Sequence, residues 1–393
     1  MTHAILNCKN LTLNSDNKIK SGQLSVELLH QKNDPKNVNR LKIINKNLVV
    51  EVLPSKGLSV GEAWYNKKAI FWEPIIEMPD PDLLELNSDE VAINEEPLAG
   101  FTFLKTFNGG VELYGLKNWG MPRKNKNGTL LPIHGETSNI PVNEVTVSID
   151  EQEKTIEIKG EFFYNSFEGG LHKPWYLRGE KLVKVIRSII IKQGTNPSID
   201  IKDTFKNISN SPFFVDWGYH ITFAPEKGAR IIIPSKKAEN RSGEKLPEDI
   251  ESWVPAKNSK IRTEVGIIHK GLKEFTENEL TINKVLIQRP NLGNLVVSFS
   301  PSPYMQSWMC NGGANSTEFT LAKTGKPLFR KNWDGMGIEL GASALDHDKN
   351  TDPAVPVATP LQPKETVSNF ISIKIIDKKL FAGLVENFGE YSE

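Results

Sequence analysis

The chain has 393 residues, of which 38% are hydrophobic and 24% are charged. This composition supplies enough apolar material for a sizeable core and too little charge for a disordered chain. The 48 Lys and Arg residues balance the 48 Asp and Glu residues, so the overall charge gives no electrostatic reason to expect nucleic acid or a membrane surface as a partner. The start of the chain has no basic flank before an apolar run, and no stretch approaches the ~20 apolar residues of a membrane span. We therefore expect a soluble cytoplasmic protein.

The two cysteines, Cys8 and Cys310, are too few for a disulfide framework and have no metal-site spacing. We expect two unrelated reduced thiols. The sequence also lacks a phosphate-binding glycine loop, the spacing of zinc ligands and a nucleophile elbow. These observations predict no metal and no cofactor.

Short runs rich in β-branched residues recur in chain order, and turn signals separate them. The runs are Leu48–Val52, Thr155–Ile158, Val185–Ile191, Ser198–Phe205, Arg230–Ile233, Leu295–Phe299 and Phe370–Ile376. Several alternate apolar with polar residues, which is the period-two pattern of strands with one solvated face. The segments Lys126–Gly128 and Asn207–Pro212 have the composition of turns. The pattern predicts an all-β fold, a large antiparallel β-sandwich with few short helices.

Helical periodicity is scarce before the carboxyl end. There, one helical face collects five apolar residues: Leu380, Phe381, Leu384, Val385 and Phe388. This predicts a C-terminal helix within residues 377–393. Residues 77–97 are acidic and residues 346–363 are proline-rich, and both have the composition of long loops. Strand-like sequence continues on both sides of each, so we expect one domain over residues 1–393, with residues 1–45 forming N-terminal strands or an extension.

Three segments carry candidate chemistry. His134 precedes Gly135 and small polar residues, a composition that suits a loop bringing an imidazole to a surface. His220 lies in a strand-like run among aromatic residues, and aromatic rings beside a hydrogen-bonding group are usual in sugar sites. Glu339 lies in an apolar, glycine-rich run, where a buried charge without a partner is costly. Each also has a structural interpretation, since either histidine could be a core residue and Glu339 could pair with an arginine.

A fourth segment, Asp346–Asp352, places oxygen-bearing side chains at alternate positions, as at the start of a calcium-binding loop. The glycine and the glutamate that such a loop needs are replaced by Thr351 and Val357. We interpret this segment as a solvated polar loop.

Seven short segments, in a shared order, resemble those of one protein family. They are Leu53–Val60, Phe107–Gly110, Tyr114–Gly120, His134–Pro141, Tyr219–Phe223, Gly337–Glu339 and Pro360–Pro363. The chain resembles a bacterial aldose 1-epimerase-like family, often described only as a domain of unknown function (DUF4432), within the galactose mutarotase-like superfamily. The resemblance covers most of the chain and implies the galactose mutarotase-like supersandwich fold. Lys56, Glu136 and Thr222 differ from the residues usual in this group, so the resemblance does not specify the sugar.

The resemblance implies an aldose 1-epimerase (mutarotase), an isomerase that interconverts the anomers of a free monosaccharide by acid/base ring opening without a cofactor. By resemblance, Glu339 is the base and His220 the acid, while His134 orients the ring-oxygen side or shares the acid role. The expected substrate contacts are the polar side chains of Asn118, Asn139 and Arg178 and the stacking faces of Trp217, Trp308 and Trp333.

Two alternatives stay open. One is another sugar-modifying enzyme on the same fold, such as a lyase, hydrolase or isomerase acting on a modified or acidic sugar. It would be favoured if Lys105, Lys117 or Arg178 clustered beside the histidines. The other is a non-catalytic carbohydrate-binding protein. It would be favoured if Glu339 were paired with another residue and could not be reached from the cleft. In all three cases the expected partner is a monosaccharide or sugar derivative, with no nucleic acid and no membrane, and an oligomer is not indicated.

Overall fold

The structure is a computed structural model. It describes residues 2–7, 18–30, 39–74, 84, 91–93, 96–124, 128–168, 173–246, 263–311, 319–328, 334–343 and 360–389. Predictions for Cys8, Trp333 and the segment Asp346–Asp352 lie outside these residues.

The described residues form 29 strands and one α-helix. In chain order they are β1 (Thr2–Asn7), β2 (Lys18–Ser21), β3 (Leu24–His30), β4 (Asn39–Asn45), β5 (Leu48–Leu53), β6 (Ser59–Tyr65), β7 (Lys68–Ala69), β8 (Val91–Ile93), β9 (Glu96–Leu98), β10 (Val111–Tyr114), β11 (Arg123–Lys124), β12 (Leu130–Leu131), β13 (Glu144–Asp150), β14 (Thr155–Asn165), β15 (Lys181–Lys192), β16 (Ser198–Asn207), β17 (Phe213–Phe214), β18 (Gly218–Phe223), β19 (Arg230–Ile232), β20 (Ser235–Asn240), β21 (Thr263–Leu272), β22 (Glu274–Glu277), β23 (Leu280–Gln288), β24 (Asn294–Phe299), β25 (Tyr304–Asn311), β26 (Phe319–Leu321), β27 (Gly335–Gly341), β28 (Pro360–Leu361), β29 (Thr366–Ile376) and α1 (Lys378–Gly389). Each of the seven predicted strand runs coincides with a strand, and the all-β prediction is confirmed.

Two large antiparallel sheets hold most of these strands. One has ten strands in the order β1-β13-β14-β15-β16-β29-β24-β23-β19, with β22 paired to β23. The other has twelve, in the order β2-β3-β4-β5-β6-β10-β18-β27-β25-β21-β20, with β7 paired to β6. Strands β10, β18, β27 and β25 are therefore consecutive neighbours near the middle of the second sheet.

The apolar faces of the two sheets pack into one hydrophobic core. Val111, Ile221 and Ile338 enter it from the twelve-stranded sheet, and Val185 and Ile201 from the ten-stranded sheet. These side chains alternate with residues that point away, as the pleat of a strand requires. Both sheets therefore contribute side chains to the same core cluster.

A buried ion pair of the ten-stranded sheet is hydrogen-bonded to the other sheet inside this core. The Arg187 guanidinium on β15 donates from Nε and Nη2 to the two carboxylate oxygens of Asp203 on β16, at 2.7 and 2.8 Å. The Tyr219 hydroxyl on β18 donates to the same carboxylate at 2.7 Å. Bidentate charge-assisted bonds of this kind are among the strongest in proteins. The Tyr219 bond attaches β18 to the opposite sheet, and β18 also carries His220.

The C-terminal helix prediction is confirmed by α1. Phe381 and Phe388 are buried against Leu286 and Val296 of the ten-stranded sheet. The expectation that Leu380 shares this face is wrong, because its side chain is 40% exposed. Asp377 precedes the helix, and its carboxylate accepts the backbone N–H of Leu380 at 2.8 Å, which is the usual N-terminal cap. No helix in the described ranges combines the length and apolar character needed to cross a membrane.

The two predicted long loops contain short strands. Strands β8 and β9 lie at the end of the 77–97 segment and form a three-stranded sheet with β26. In the 346–363 segment, β28 pairs with β17. The loop prediction is therefore wrong at these positions, since strands of two or three residues are too short to show a period in the sequence. Residues 77–83, 85–90, 94–95 and 346–359 of the two segments lie outside the described residues.

Candidate active site

Four polar side chains form a row across four neighbouring strands. The register places Glu112 on β10 opposite His220 on β18, His220 opposite Glu339 on β27, and Glu339 opposite Gln306 on β25. Residues directly opposite each other in an antiparallel sheet share a face. The neighbours Ile221 and Ile338 point into the core, so the polar row lies on the outer face of the sheet. All four polar residues are buried, with exposed fractions of 5% or less.

His220 and Glu339 are in direct contact. Nε2 of His220 lies 3.4 Å from Oε1 of Glu339, and its Nδ1 lies 3.1 Å from the Thr222 hydroxyl. Burial lowers the pKa of His220 to about 3. The imidazole is therefore neutral near pH 7, and both of its nitrogens have a partner inside the protein. Thr222, one of the positions that depart from the family pattern, provides one of these partners.

His134 reaches the same site from a loop. Its backbone N–H donates to Gly120 O at 2.8 Å, and its carbonyl accepts from Gly115 N at 2.9 Å. The next residue, Gly135, has a φ of 70°, and a Cβ there would overlap the carbonyl oxygen of Gly115. Glycine is thus required at this turn. The loop brings the ring centroid of His134 to 6.1 Å from that of His220.

Aromatic rings enclose both histidines. The Tyr114 ring stacks on His134, with centroids 4.8 Å apart and planes at 14°. The rings of Phe107 and His220 form an edge-to-face pair with centroids 4.7 Å apart, and the Trp308 ring lies 5.3 Å from the same imidazole. Aromatic faces beside hydrogen-bonding groups match the apolar C–H face and polar rim of a pyranose.

The glycines of β18 and β27 make room for two indole rings on this face. A Cβ at Gly218 or Gly341 would overlap the ring of Trp119, and a Cβ at Gly337 would overlap that of Trp308. Trp119 is fully buried, and its Nε1 donates to Ser343 O at 2.8 Å. The glycine-rich pattern around Glu339 therefore reflects side chains packed flat on the sheet.

A second charged group in this region was missed by sequence reasoning. Lys56 Nζ lies 3.1 Å from Glu112 Oε1, and both side chains are almost completely buried. The Tyr114 hydroxyl donates to the other oxygen of this carboxylate. Burial lowers the pKa of Lys56, and the Glu112 charge opposes that shift. The one available sequence signal was Lys56 itself, a charged residue in one of the segments that carry the family resemblance.

The three predicted hydroxyl contacts have different surroundings. The Asn118 side chain stabilises its own loop by hydrogen bonds. Its Nδ2 donates to Met121 O and Pro132 O, and its Oδ1 accepts from Arg123 Nε at 2.7 Å. Asn139 is buried at the end of the 3₁₀ helix Thr137–Asn139. Arg178 lies in the connection between β14 and β15.

The cationic cluster that would favour an acidic sugar is not formed by Lys117 and Arg178. Lys117 Nζ donates to Ser166 O at 3.1 Å, and Arg178 Nε donates to Lys173 O at 2.9 Å. Both charges are thus directed to the connection between β14 and β15. Lys117 also lies near the Glu136 carboxyl group. Burial raises the pKa of Glu136, and its Oε2 accepts a hydrogen bond from the Tyr164 hydroxyl at 2.7 Å.

Among the predicted tryptophans, the structure brings Trp308 to the site and places Trp217 elsewhere. Trp217 packs in the core, 5.6 Å from the ring of Tyr219. It therefore lies on the face of the sheet opposite to His220, and the stacking role expected for it is not supported. Trp119 occupies the outer face instead. In the described ranges, no group of three or more His, Cys, Asp or Glu side chains is arranged to hold a metal ion.

Comparison with known proteins defines the family. A family model described as a domain of unknown function (DUF4432) matches residues 36–308. This is more than half of the 393-residue chain, and the chain therefore belongs to this family. No curated protein sequence matches it.

Solved structures define the fold. A candidate aldose 1-epimerase from Klebsiella pneumoniae has a TM-score of 0.69 at 18% sequence identity, over 94% of this chain and 88% of that protein. A galactose mutarotase-like protein from Clostridium acetobutylicum has a TM-score of 0.54 at 14% identity, over 90% of this chain and 99% of that protein. The fold is the galactose mutarotase-like β-sandwich, as the sequence resemblance implied.

Proposed function

We propose that this protein is a carbohydrate-active enzyme, an aldose 1-epimerase that interconverts the anomers of a free monosaccharide. The observation that carries the proposal is the convergence of Glu339, His220 and His134, which come from separate parts of the chain. The aromatic rings around them suit the apolar face of a sugar ring. The galactose mutarotase-like fold adds support at the level of the family.

The proposed reaction opens and closes the sugar ring. A base removes the proton from the anomeric hydroxyl while an acid protonates the ring oxygen, and the free aldehyde then rotates before the ring closes on its other face. We assign the base to Glu339 and the acid to His220, with His134 on the ring-oxygen side. Positioned acid and base groups contribute roughly 10²- to 10⁴-fold each.

The lowered pKa of His220 refines this assignment. Its value of about 3 leaves the imidazole without an extra proton near pH 7. A neutral imidazole whose two nitrogens face Glu339 and Thr222 is a weak source of a proton for the ring oxygen. This favours an acid role that His134 shares, since its ring lies 6.1 Å from that of His220.

Anomer exchange tests the proposal directly. Freshly dissolved α-anomers of glucose, galactose, xylose, fucose, rhamnose and one acidic sugar would be followed by polarimetry or by NMR of the anomeric protons. We expect faster equilibration of at least one neutral sugar with wild-type protein and loss of that effect in Glu339→Gln. Glu161→Gln is a matched control, because this carboxylate is 53% exposed on the other sheet and pairs with Lys184. No acceleration of any sugar would refute the proposal.

One observation favours a second candidate, a carbohydrate-binding protein without turnover. Glu339 and His220 are each only 5% exposed and contact each other, so neither is open to solvent. Isothermal titration calorimetry with the same sugars separates the two candidates. Heat of binding with no acceleration of anomer exchange would establish binding alone.

A further inference from the structure

We propose that Tyr114 is a positioning residue of this site, a phenol anchored on Glu112 and Lys56 that sets the plane of the His134 imidazole and its distance from His220. This inference deepens the proposed function and rests on it. It assigns a role to buried groups that the acid/base reaction itself does not use.

The first observation is that one ring contacts both histidines. Tyr114 stacks on His134 with nearly parallel planes, at 4.8 Å and 14°. It meets His220 at 5.8 Å with planes at 62°. Offset-stacked and edge-to-face pairs at these separations are the preferred aromatic geometries. The Tyr114 ring therefore packs against both imidazoles, and its position constrains where they lie relative to each other.

The second observation is that Tyr114 is itself held by a fixed carboxylate. Its hydroxyl donates to Glu112 Oε2. The other oxygen of Glu112 accepts from the backbone N–H groups of Gly109 and Asn108, at 2.7 and 3.3 Å, and lies 3.1 Å from Lys56 Nζ. A carboxylate with this many charged and backbone donors has little freedom to rotate.

The anchor also connects the two sides of the site. Lys56 ends the 3₁₀ helix Pro54–Lys56, and the backbone N–H of the next residue, Gly57, donates to Ile140 O at 2.9 Å. Ile140 directly follows the 3₁₀ helix of the His134 loop. The turn that supplies Lys56 is thus bonded to the loop that supplies the histidine.

The third observation concerns the proton of Tyr114. Burial raises its pKa well above the usual value, and the charges of Glu112 and Glu339 raise it further. The phenol therefore keeps its proton over the whole working range of pH and acts as a permanent donor to Glu112. These properties fit a positioning role rather than proton transfer.

The decisive variant is Tyr114→Phe, which keeps the ring and removes the anchor. We expect kcat on the responsive sugar to fall about 10- to 100-fold, which corresponds to the loss of one hydrogen bond to a charged group, while KM changes less than about twofold. The imidazole signals of His134 should shift in NMR spectra of histidine-labelled protein. In wild type, stacking on Tyr114 should displace the His134 ring protons to high field, an effect that can be measured before any variant is made.

Tyr219→Phe is the matched control. It also removes a buried hydrogen bond from a tyrosine to a carboxylate, the 2.7 Å contact with Asp203, but on the core face of β18. We expect a comparable loss of stability with kcat within about threefold of wild type and unchanged His134 signals.

Three results would overturn the proposal. The first is an absence of the high-field shift of His134 in wild type. The second is a Tyr114→Phe protein with wild-type kcat and wild-type His134 signals. The third is an equal fall of kcat in both variants, which would mean a general effect of lost stability. If wild-type protein accelerates no sugar, the proposed function fails, and the NMR comparison still decides the positioning role by itself.

Discussion

Strand β18 has a buried polar cluster on each face, and the two clusters differ in how their charges are satisfied. On the core face, the Asp203 carboxylate binds Arg187 at 2.7 and 2.8 Å and accepts from Tyr219. On the outer face, Glu339 meets His220 at 3.4 Å, and the imidazole is neutral because burial lowers its pKa to about 3. The core cluster is a matched ion pair in short bidentate geometry. The outer cluster sets a carboxylate against an uncharged base, which is an arrangement that can exchange protons.

The largest effect is expected for turnover when the outer cluster is changed. Glu339→Gln keeps the size of the side chain and removes its basicity, so we expect kcat to fall about 100- to 10,000-fold. The free energy of unfolding should change by less than about 1 kcal/mol, because no short ion pair is lost. Anomer-exchange NMR and urea unfolding measure the two quantities. A large loss of stability would instead make Glu339 a structural residue like Asp203.

The core cluster should respond in the opposite way. Asp203→Ala leaves Arg187 as an uncompensated buried charge, and we expect the free energy of unfolding to fall by about 3–5 kcal/mol. Asp200→Ala, on the same strand, is the matched control. Its partner Lys192 is 47% exposed, and exposed pairs contribute only about 0–1 kcal/mol. Equal losses in urea unfolding would contradict the distinction between the buried and the exposed pair.

The packing of the outer face can be tested at Gly341. A Cβ there would overlap the Trp119 ring, whose centroid lies 5.7 Å from that of His134. We expect Gly341→Ala to lower the free energy of unfolding by about 1–3 kcal/mol, the usual cost of overpacking. We also expect it to reduce kcat by moving the indole toward His134. Gly194→Ala, where a Cβ meets nothing within 4 Å, should leave both quantities near wild type. A Gly341→Ala protein with wild-type stability would show that Trp119 is not packed flat on the sheet.

A smaller effect is expected in the pH dependence of stability. The pKa of His220 is about 3 in the folded protein and near 6.5 in an unfolded chain. The unfolded state therefore binds the proton more readily, so this stability is present above pH 6.5 and is lost as the pH falls toward 3. We expect a loss of about 2 kcal/mol between pH 7.5 and 5 from this group.

The variant His220→Gln isolates this contribution. Urea unfolding at pH 7.5 and at pH 5 should give a smaller difference in the variant than in wild type. Burial also lowers the pKa of His269, to about 4. His269 therefore adds a further loss of stability between pH 7.5 and pH 5, and the variant retains this loss. An unchanged pH dependence would mean that His220 is charged in the folded protein.

The regular elements could be predicted because their signals are local. The run Thr155–Ile158 lies within β14, and its alternation of apolar and polar residues comes from one buried and one solvated face. Helix α1 was predicted from the spacing of Phe381 and Phe388, which do face the core. Strands β8 and β9 were missed because three residues cannot display a period.

The sequence did not show which side chains of β18 face the core and which face outward. Every residue of this strand is buried, so polar and apolar residues do not alternate in a way that marks one side. Trp217 was therefore grouped with His220, although it packs in the core with Tyr219. The association of Lys56, Glu112 and Tyr114 was also invisible, because Lys56 lies in the 3₁₀ helix Pro54–Lys56 and Glu112 lies on β10, and only the folded sheet brings these two parts of the chain together.

The sequence by itself determined the fold class, the family resemblance and the three residues assigned to acid/base chemistry, because strand periodicity and short motifs are properties of neighbouring residues. The tertiary structure decided which side chains share a face, that His220 is neutral, and that Tyr114 contacts both histidines. These properties depend on strand register and on burial. Both arise from contacts between residues far apart in the chain, so no local pattern can record them.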